Sequence, residues 1–228
     1  MRVVARDPSS HSSDLAMRSG GSIVNVHGVP GTVTCVARLR LDERVVLLAS
    51  HHVLYGRDAQ TRQAVALRVS PAAPFLVTVG NTLHGRFGTV EHEQCSYHVD
   101  CAVASVDGAP HDVIASLSSW FACESIGWAE AGEAVFKSGA ATGATIGIVA
   151  DVAYTDVVKV DGCVTIAPLQ LLIRSSIPRK PFSAAGDSGA LVRNARGDGV
   201  AMLSGVTPGG DSIACHLVPV FHVLHLRL

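Results

Sequence analysis

Charge is scarce in this chain. Asp, Glu, Lys and Arg make up 16% of its 228 residues and nearly cancel, to a formal net charge of -1. Soluble domains usually carry roughly 25%. No Lys/Arg-rich run occurs, which argues against nucleic acid as the main partner. Long apolar runs are missing too, although hydrophobic residues reach 48% and mean hydropathy is +0.34. The runs at 45–49, 113–117 and 169–173 fall far below the ~18 to 20 residues that span a bilayer, so no membrane partner is expected. Helical 3.6-residue periodicity is nearly absent. The 22 glycines and 10 prolines, with valine dispersed throughout, exclude a coiled coil or a helical bundle.

The first twenty residues, MRVVARDPSSHSSDLAMRSG, lack the apolar stretch of a secretory signal and read as a polar tail. The expectation is a cytoplasmic protein, or a secreted one if the chain is a trimmed form. No CxxC pair is present. The six cysteines, Cys35, Cys95, Cys101, Cys123, Cys163 and Cys215, are scattered and are expected to be buried free thiols. His92, Cys95, His98 and Cys101 recur at intervals of three and admit a zinc reading. Against it, there is no second half-site, and on a strand such intervals alternate faces. No metal and no cofactor is expected.

What is present is a succession of short apolar, often alternating runs separated by Gly, Pro, Asp or Asn. They fall at 22–27, 32–39, 45–49, 65–69, 75–79, 100–106, 145–152, 163–167, 169–173, 190–193, 200–205 and 213–218. About a dozen strands spaced by roughly 8 to 20 residues predict an all-β protein of barrels or sandwiches. The least strand-like stretch, 108–124, includes a candidate helix at 113–121 and reads as the connection between two halves of about six strands. The tail 220–228 follows Pro219, a residue suited to a first helical turn, and is expected to be helical. The expected division is a tail at 1–20, a first half at 21–110, a connection at 111–124 and a second half at 125–228 that ends in the helix.

Three segments carry chemistry. In Ala185-Gly186-Asp187-Ser188-Gly189-Ala190, a serine between glycines precedes a strand. Such a turn can present a nucleophile, and the N–H groups of Gly186 and Ser188 can converge on one oxyanion. In Ala49-Ser50-His51-His52-Val53, a strand runs into a histidine pair that can supply a general base. In His98-Val99-Asp100-Cys101-Ala102, a carboxylate opens an apolar strand, where it can orient an imidazole. Each pattern also has a plain structural reading: a glycine hairpin, one of 11 histidines, an ordinary strand start.

The order His, Asp, Ser and the residues around them resemble the chymotrypsin-fold (trypsin-like) serine proteases, in particular the bacterial, disulfide-poor type. Gly186-Asp187-Ser188-Gly189-Ala190-Leu191-Val192 is similar to the family's nucleophile motif. Ser50-His51-His52-Val53 is similar to its histidine motif and selects His52 over His51. Asp100-Cys101-Ala102-Val103 is similar to its aspartate motif. Residues 135–149 and 31–36 resemble hairpins of the same family, so the likeness spans residues 21–224. The resemblance implies two antiparallel six-stranded β-barrels with a short C-terminal helix. It also implies a serine endopeptidase in which Ser188 is the nucleophile, His52 the base, Asp100 its orienting carboxylate, and Gly186 and Ser188 the oxyanion hole.

By the same resemblance, Phe182 lies at the base of the substrate side-chain pocket, Ser204 sits behind Asp100, and residues 204–206 pair with an extended protein or peptide substrate. Phe182 with Val206, beside Gly205, implies a shallow apolar pocket for small side chains. Both residues being core is the alternative. The family's usual partners for the aspartate before the nucleophile are absent: neither a basic cleavage site precedes Ile23-Val24, nor does an arginine stand in Ser138-Gly139-Ala140-Ala141-Thr142-Gly143. Asp187 therefore needs another partner, with Lys137, Arg179, Lys180 or backbone donors as candidates. A protease-fold peptide-binding module without turnover is one alternative function. An esterase or a self-processing protease is the other.

Overall fold

A computed structural model describes residues 20–25, 27–56, 63–68, 76–108, 122–160 and 163–228. Most of the polar tail, the candidate helix at 113–121 and most of the connection lie outside the described residues. Among the described residues fourteen strands run in the order β1 (Ser22–Asn25), β2 (Pro30–Thr32), β3 (Cys35–Leu39), β4 (Val45–Ala49), β5 (Ala64–Arg68), β6 (Leu76–His92), β7 (Cys95–Ser105), β8 (Ala134–Gly139), β9 (Gly143–Val160), β10 (Cys163–Ser175), β11 (Leu191–Asn194), β12 (Gly199–Val206), β13 (Ser212–His216) and β14 (Leu226–Arg227). The described residues also form two short helices, α1 (His51–Tyr55) and α2 (Leu217–Val223). No described helix is long and apolar enough to cross a membrane.

The second half is a closed barrel in the order β10-β13-β12-β11-β8-β9. Its inward residues include Val135, Val149, Leu171, Ile173, Val192, Val200 and Leu203, at the period-2 positions that a strand turns to one face. The first half departs from the expected closed six-stranded barrel. It is an eight-stranded sheet in the order β14-β3-β4-β7-β6-β5-β1-β2. Its neighbouring segments β2 and β3 sit near opposite ends of this order because the chain breaks its ladder at Val33 and Thr34. Val33 N–H donates to Gly21 O at 3.0 Å and Thr34 N–H to Leu48 O at 2.8 Å. The first half therefore curls round through this covalent link, with Val33, Leu47, Val65, Val79 and Ala102 among its filling.

Two further expectations are corrected. The tail is not helical to its end. Pro219 sits in the first turn of α2, which stops at Val223, and His225 takes φ +53°. Leu226 then pairs with Leu39 of β3, so the last strand lies on the sheet of the first half. The runs 163–167 and 169–173 are one strand. Its register against β9 shifts between Ala167 and Gln170, and Leu169 has φ +48°. This bulge accommodates Pro168, which could not donate to a regular ladder. Cys35, Cys101, Cys123 and Cys215 are buried free thiols as expected, whereas Cys95 is exposed. A third cluster containing Cys35, Cys101, Met202, Cys215, Leu217 and Phe221 fills the seam between the halves.

Candidate active site

The histidine segment is a strand that turns into a helix. Ser50 is extended (φ -64°, ψ 142°), and its carbonyl accepts from Val53 N–H at 3.2 Å and Leu54 N–H at 3.1 Å. Val53, Leu54 and Tyr55 are buried, which fixes α1 to the core and turns His51 and His52 outward. A Cβ on Gly31 would meet Val53 Cγ1 at 2.5 Å, so glycine there lets the helix seat. His52 N–H donates to Asp100 Oδ1 at 3.0 Å, and its Nδ1 lies 2.5 Å from Asp100 Oδ2. The Asp100 side chain is 4% exposed and that of His52 is 38% exposed. With Nδ1–H directed at the carboxylate, the Nε2 lone pair is free to act as a base. Burial pulls the His52 pKa down, but the Asp100 hydrogen bond and charge outweigh it and hold the imidazole above its ordinary value. His51 instead stacks on Tyr55 at 4.7 Å, and burial lowers its pKa.

The serine lies on a turn gripped by the first half. Gly186 and Gly189 take φ +99° and +92°, which favour glycine. At Gly189 a Cβ would lie 2.1 Å from Thr32 O. Thr32 N–H donates to Ser188 O at 2.8 Å and its hydroxyl to Gly186 O at 2.9 Å. The Thr34 hydroxyl donates to Gly189 O at 2.6 Å. Gly189 N–H and the Ser50 hydroxyl both reach Leu203 O, at 2.8 and 3.2 Å. The Leu203 carbonyl of β12 thus fastens both the serine turn and the residue that precedes α1. The N–H groups of Asp187, Gly189 and Ala190 are all engaged. Among the described residues, those of Gly186 and Ser188 have no acceptor, and the Ser188 hydroxyl has no hydrogen-bond partner.

Asp187 has no exposed surface. Its Oδ2 receives Lys137 Nζ at 3.0 Å, the Thr142 hydroxyl at 2.6 Å and Ala184 N–H at 3.0 Å. Its Oδ1 receives Ala141 N–H at 2.8 Å and Thr142 N–H at 3.1 Å. Burial alone would raise its pKa, and these donors outweigh burial and hold it below the ordinary carboxylate value. Of the three cations that the sequence offered, Lys137 is the one inside. Arg179 and Lys180 are exposed. A signal was present in the alternation of β8, where Val135, Lys137 and Gly139 face inward. The grips of Thr32, Thr34 and Thr142 carry no comparable sequence signal.

The expected substrate-side residues separate. Phe182 is 1% exposed and packed in the barrel core, with its carbonyl accepting from the Thr145 hydroxyl at 2.7 Å. It belongs to the core rather than to an open pocket base. Next to it, the Ser183 and Ser212 hydroxyls meet at 2.6 Å. Ser204 does not bond to Asp100. Its hydroxyl donates to Ile213 O at 3.3 Å, and the buried Cys215 thiol approaches both Ser204 and the Asp100 backbone, its pKa pushed up to about 12 by burial first and the Asp100 charge second. Val206 is 51% exposed. β12 pairs with β13 through Val206, whereas its pairing with β11 ends at Met202, which leaves one edge of residues 204–206 unpaired among the described residues. The four residues of the zinc reading diverge. Cys95 is exposed, Cys101 lies in the seam, and His98 packs edge-on to Phe87. Among the described residues no group of three or more His, Cys, Asp or Glu could hold a metal.

Solved serine protease structures share this fold. A glutamic-acid-specific serine protease matches at a TM-score of 0.61 with 16% identity, over 91% of this chain and 97% of that one. Protease A of Thermobifida fusca matches at 0.60 with 13% identity, over 93% and 97%. The chymotrypsin of Cellulomonas bogoriensis matches at 0.58 with 14% identity, over 92% and 96%. The chain has the chymotrypsin fold of these serine proteases. No protein-family model and no curated protein sequence matches it.

Proposed function

We propose that the protein is a serine endopeptidase. The observation that carries this reading is the double hydrogen bond of His52 to Asp100, with the Ser188 turn and Ser50, the residue before α1, both tied to Leu203 O. Ser188 Oγ attacks the peptide carbonyl carbon, and His52 Nε2 takes its proton and returns it to the leaving amine. Asp100 holds the tautomer and stabilises the imidazolium. The N–H groups of Gly186 and Ser188 receive the oxyanion. Water then attacks the acyl-enzyme by the same base. The substrate is an extended protein or peptide segment lying along the unpaired edge of residues 204–206. With the half-exposed Val206 on this edge, small or apolar substrate side chains are the expected preference.

A second reading, a peptide-binding module without turnover, is favoured by one observation: the Ser188 hydroxyl has no partner among the described residues. Hydrogen bonds of this kind often tighten only with substrate in place. A fluorophosphonate probe and a peptide-library digest decide between the two. Labelling at Ser188, lost in Ser188→Ala, and library cleavage support the endopeptidase. A folded, unlabelled protein that binds peptides equally well as Ser188→Ala is a binding module.

A further inference from the structure

Asp187 precedes the serine, and its main chain shapes the turn. Its N–H donates to Ala184 O at 3.0 Å and its carbonyl accepts from Ala190 N–H at 2.8 Å. Where its carboxylate is held therefore decides where the Gly186 and Ser188 N–H groups point. The holder is the β8–β9 hairpin. Lys137 Nζ donates to Asp187 Oδ2, to Gly143 O at 3.2 Å and to the Thr142 hydroxyl, which uses all three ammonium protons. Because the Thr142 oxygen accepts from Lys137, its own proton is directed at Asp187. The Lys137 and Asp187 side chains are 0% and 1% exposed, so no second cation can reach the carboxylate.

Gly20, two residues ahead of the first strand, lies close to this hairpin. A Cβ on Gly139 would lie 2.2 Å from Asp187 Oδ1 and 2.9 Å from Lys137 Nζ. A Cβ on Gly20, which takes φ +97°, would lie 2.4 Å from Ser138 O and 2.9 Å from Gly139 N. Gly20 is thus seated, as an ordinary mid-chain residue, on the hairpin that holds the ion pair. A buried ion pair is no more stabilising than apolar residues of the same volume, whereas it does specify one placement of hairpin and turn.

We propose that Lys137 is the positioning residue of the oxyanion hole, and that it keeps the site assembled without cleavage of the chain ahead of Gly20. It takes the place of both a newly cut N-terminal amine and a hairpin arginine. The proposal rests on the endopeptidase reading for its kinetic consequences but not for its structural ones.

The test compares the full chain, Lys137→Met and Lys137→Met/Asp187→Asn by fluorophosphonate labelling with intact mass, peptide kinetics and amide hydrogen exchange. The uncut full chain is expected to label at Ser188. Lys137→Met is expected to lose about 10²-fold in kcat, with KM changed less than about threefold, as when an oxyanion donor is removed. Exchange should quicken across residues 140–143 and 186–190. The deficit relative to wild type should shrink as pH falls, because protonating Asp187 removes the orphaned charge. The double variant has no orphaned charge, so it should fold and stay about tenfold down in kcat. Labelling only after a cut ahead of Gly20, wild-type kcat in either variant, or unchanged exchange in Lys137→Met would each overturn the proposal. An unlabelled wild type with faster exchange in Lys137→Met upholds the positioning role and overturns the protease reading instead.

Discussion

Asp100, from the first half, and Asp187, from the second, are both almost fully buried carboxylates, yet one faces an imidazole and the other an ammonium. Asp100 receives two hydrogen bonds, both from His52. Asp187 receives five, three of them from main-chain N–H groups. The partner of Asp100 is part-exposed and can lose or gain a proton near neutral pH. The partner of Asp187 is sealed, and burial lowers its pKa against the opposing hydrogen bond and charge of Asp187. The same side chain thus tunes a movable proton in one half and pins main chain in the other. Variants that blur this difference test it.

The largest effect is expected where the movable proton is disturbed. Asp100→Asn keeps the shape but offers His52 an amide, which allows the wrong tautomer. A loss of about 10⁴-fold in kcat is expected, with the fold intact by circular dichroism. A loss under tenfold would show that Asp100 is an ordinary strand residue. Next comes the fixed charge. Lys137→Met leaves Asp187 buried and unpaired, at a cost of about 3–5 kcal/mol in urea unfolding. Asp187→Asn leaves the Lys137 ammonium buried and unpaired instead, so it should also be destabilising by several kcal/mol. A loss under about 1 kcal/mol in both variants would contradict the assignment.

How far these carboxylates could be read in advance follows from where their partners sit in the chain. His52, Asp100 and Ser188 could be singled out because each lies within a short motif, at a strand end or in a glycine turn, and the structure sets His52 against Asp100. The strands of the second half were legible from alternation, which left barrel and sandwich open, and the barrel was what the family resemblance implied. Lys137 was visible as one of three candidates, and only the inward register of β8 separates it from Arg179 and Lys180. Phe182 was misplaced because an apolar residue near the serine fits a pocket base and a barrel core equally well, and only three-dimensional packing decides. The open order of the first sheet depends on a two-residue break at Val33 and Thr34. The last strand depends on Leu226 finding β3 across most of the chain, and neither leaves a local pattern.

The pH response should separate the two carboxylates further. Asp100 holds the His52 pKa above the ordinary imidazole value, so the acid limb of kcat/KM should lie above about 6.5, with activity lost as pH falls through it. Residual activity in Asp100→Asn should show that limb moved lower. The pKa shift has the opposite sign at the other carboxylate, although stability too is lost on the acid side. The folded pKa of Asp187 is depressed, so its contribution is present above the unfolded carboxylate value and lost as pH falls through the lower folded one. Melting temperature measured from pH 7 to pH 3 should therefore drop in wild type and drop less in Lys137→Met/Asp187→Asn. An equal drop would remove Asp187 from the acid response.

The smallest effect is expected at Ser204, and it is informative because the family resemblance places that hydroxyl behind Asp100. Here it donates to Ile213 O at 3.3 Å, within the second half, and Asp100 takes both of its side-chain hydrogen bonds from His52. Ser204→Ala removes one long, partly exposed bond, worth about 0.5–1 kcal/mol of stability. It leaves the His52–Asp100 geometry and the main-chain edge of residues 204–206 in place, so kcat/KM should change less than about threefold. A loss of about 100-fold or more, with the acid limb displaced as in Asp100→Asn, would mean that the hydroxyl turns to the carboxylate when substrate binds. Asp100 would then share with Asp187 the dependence on donors outside its own histidine.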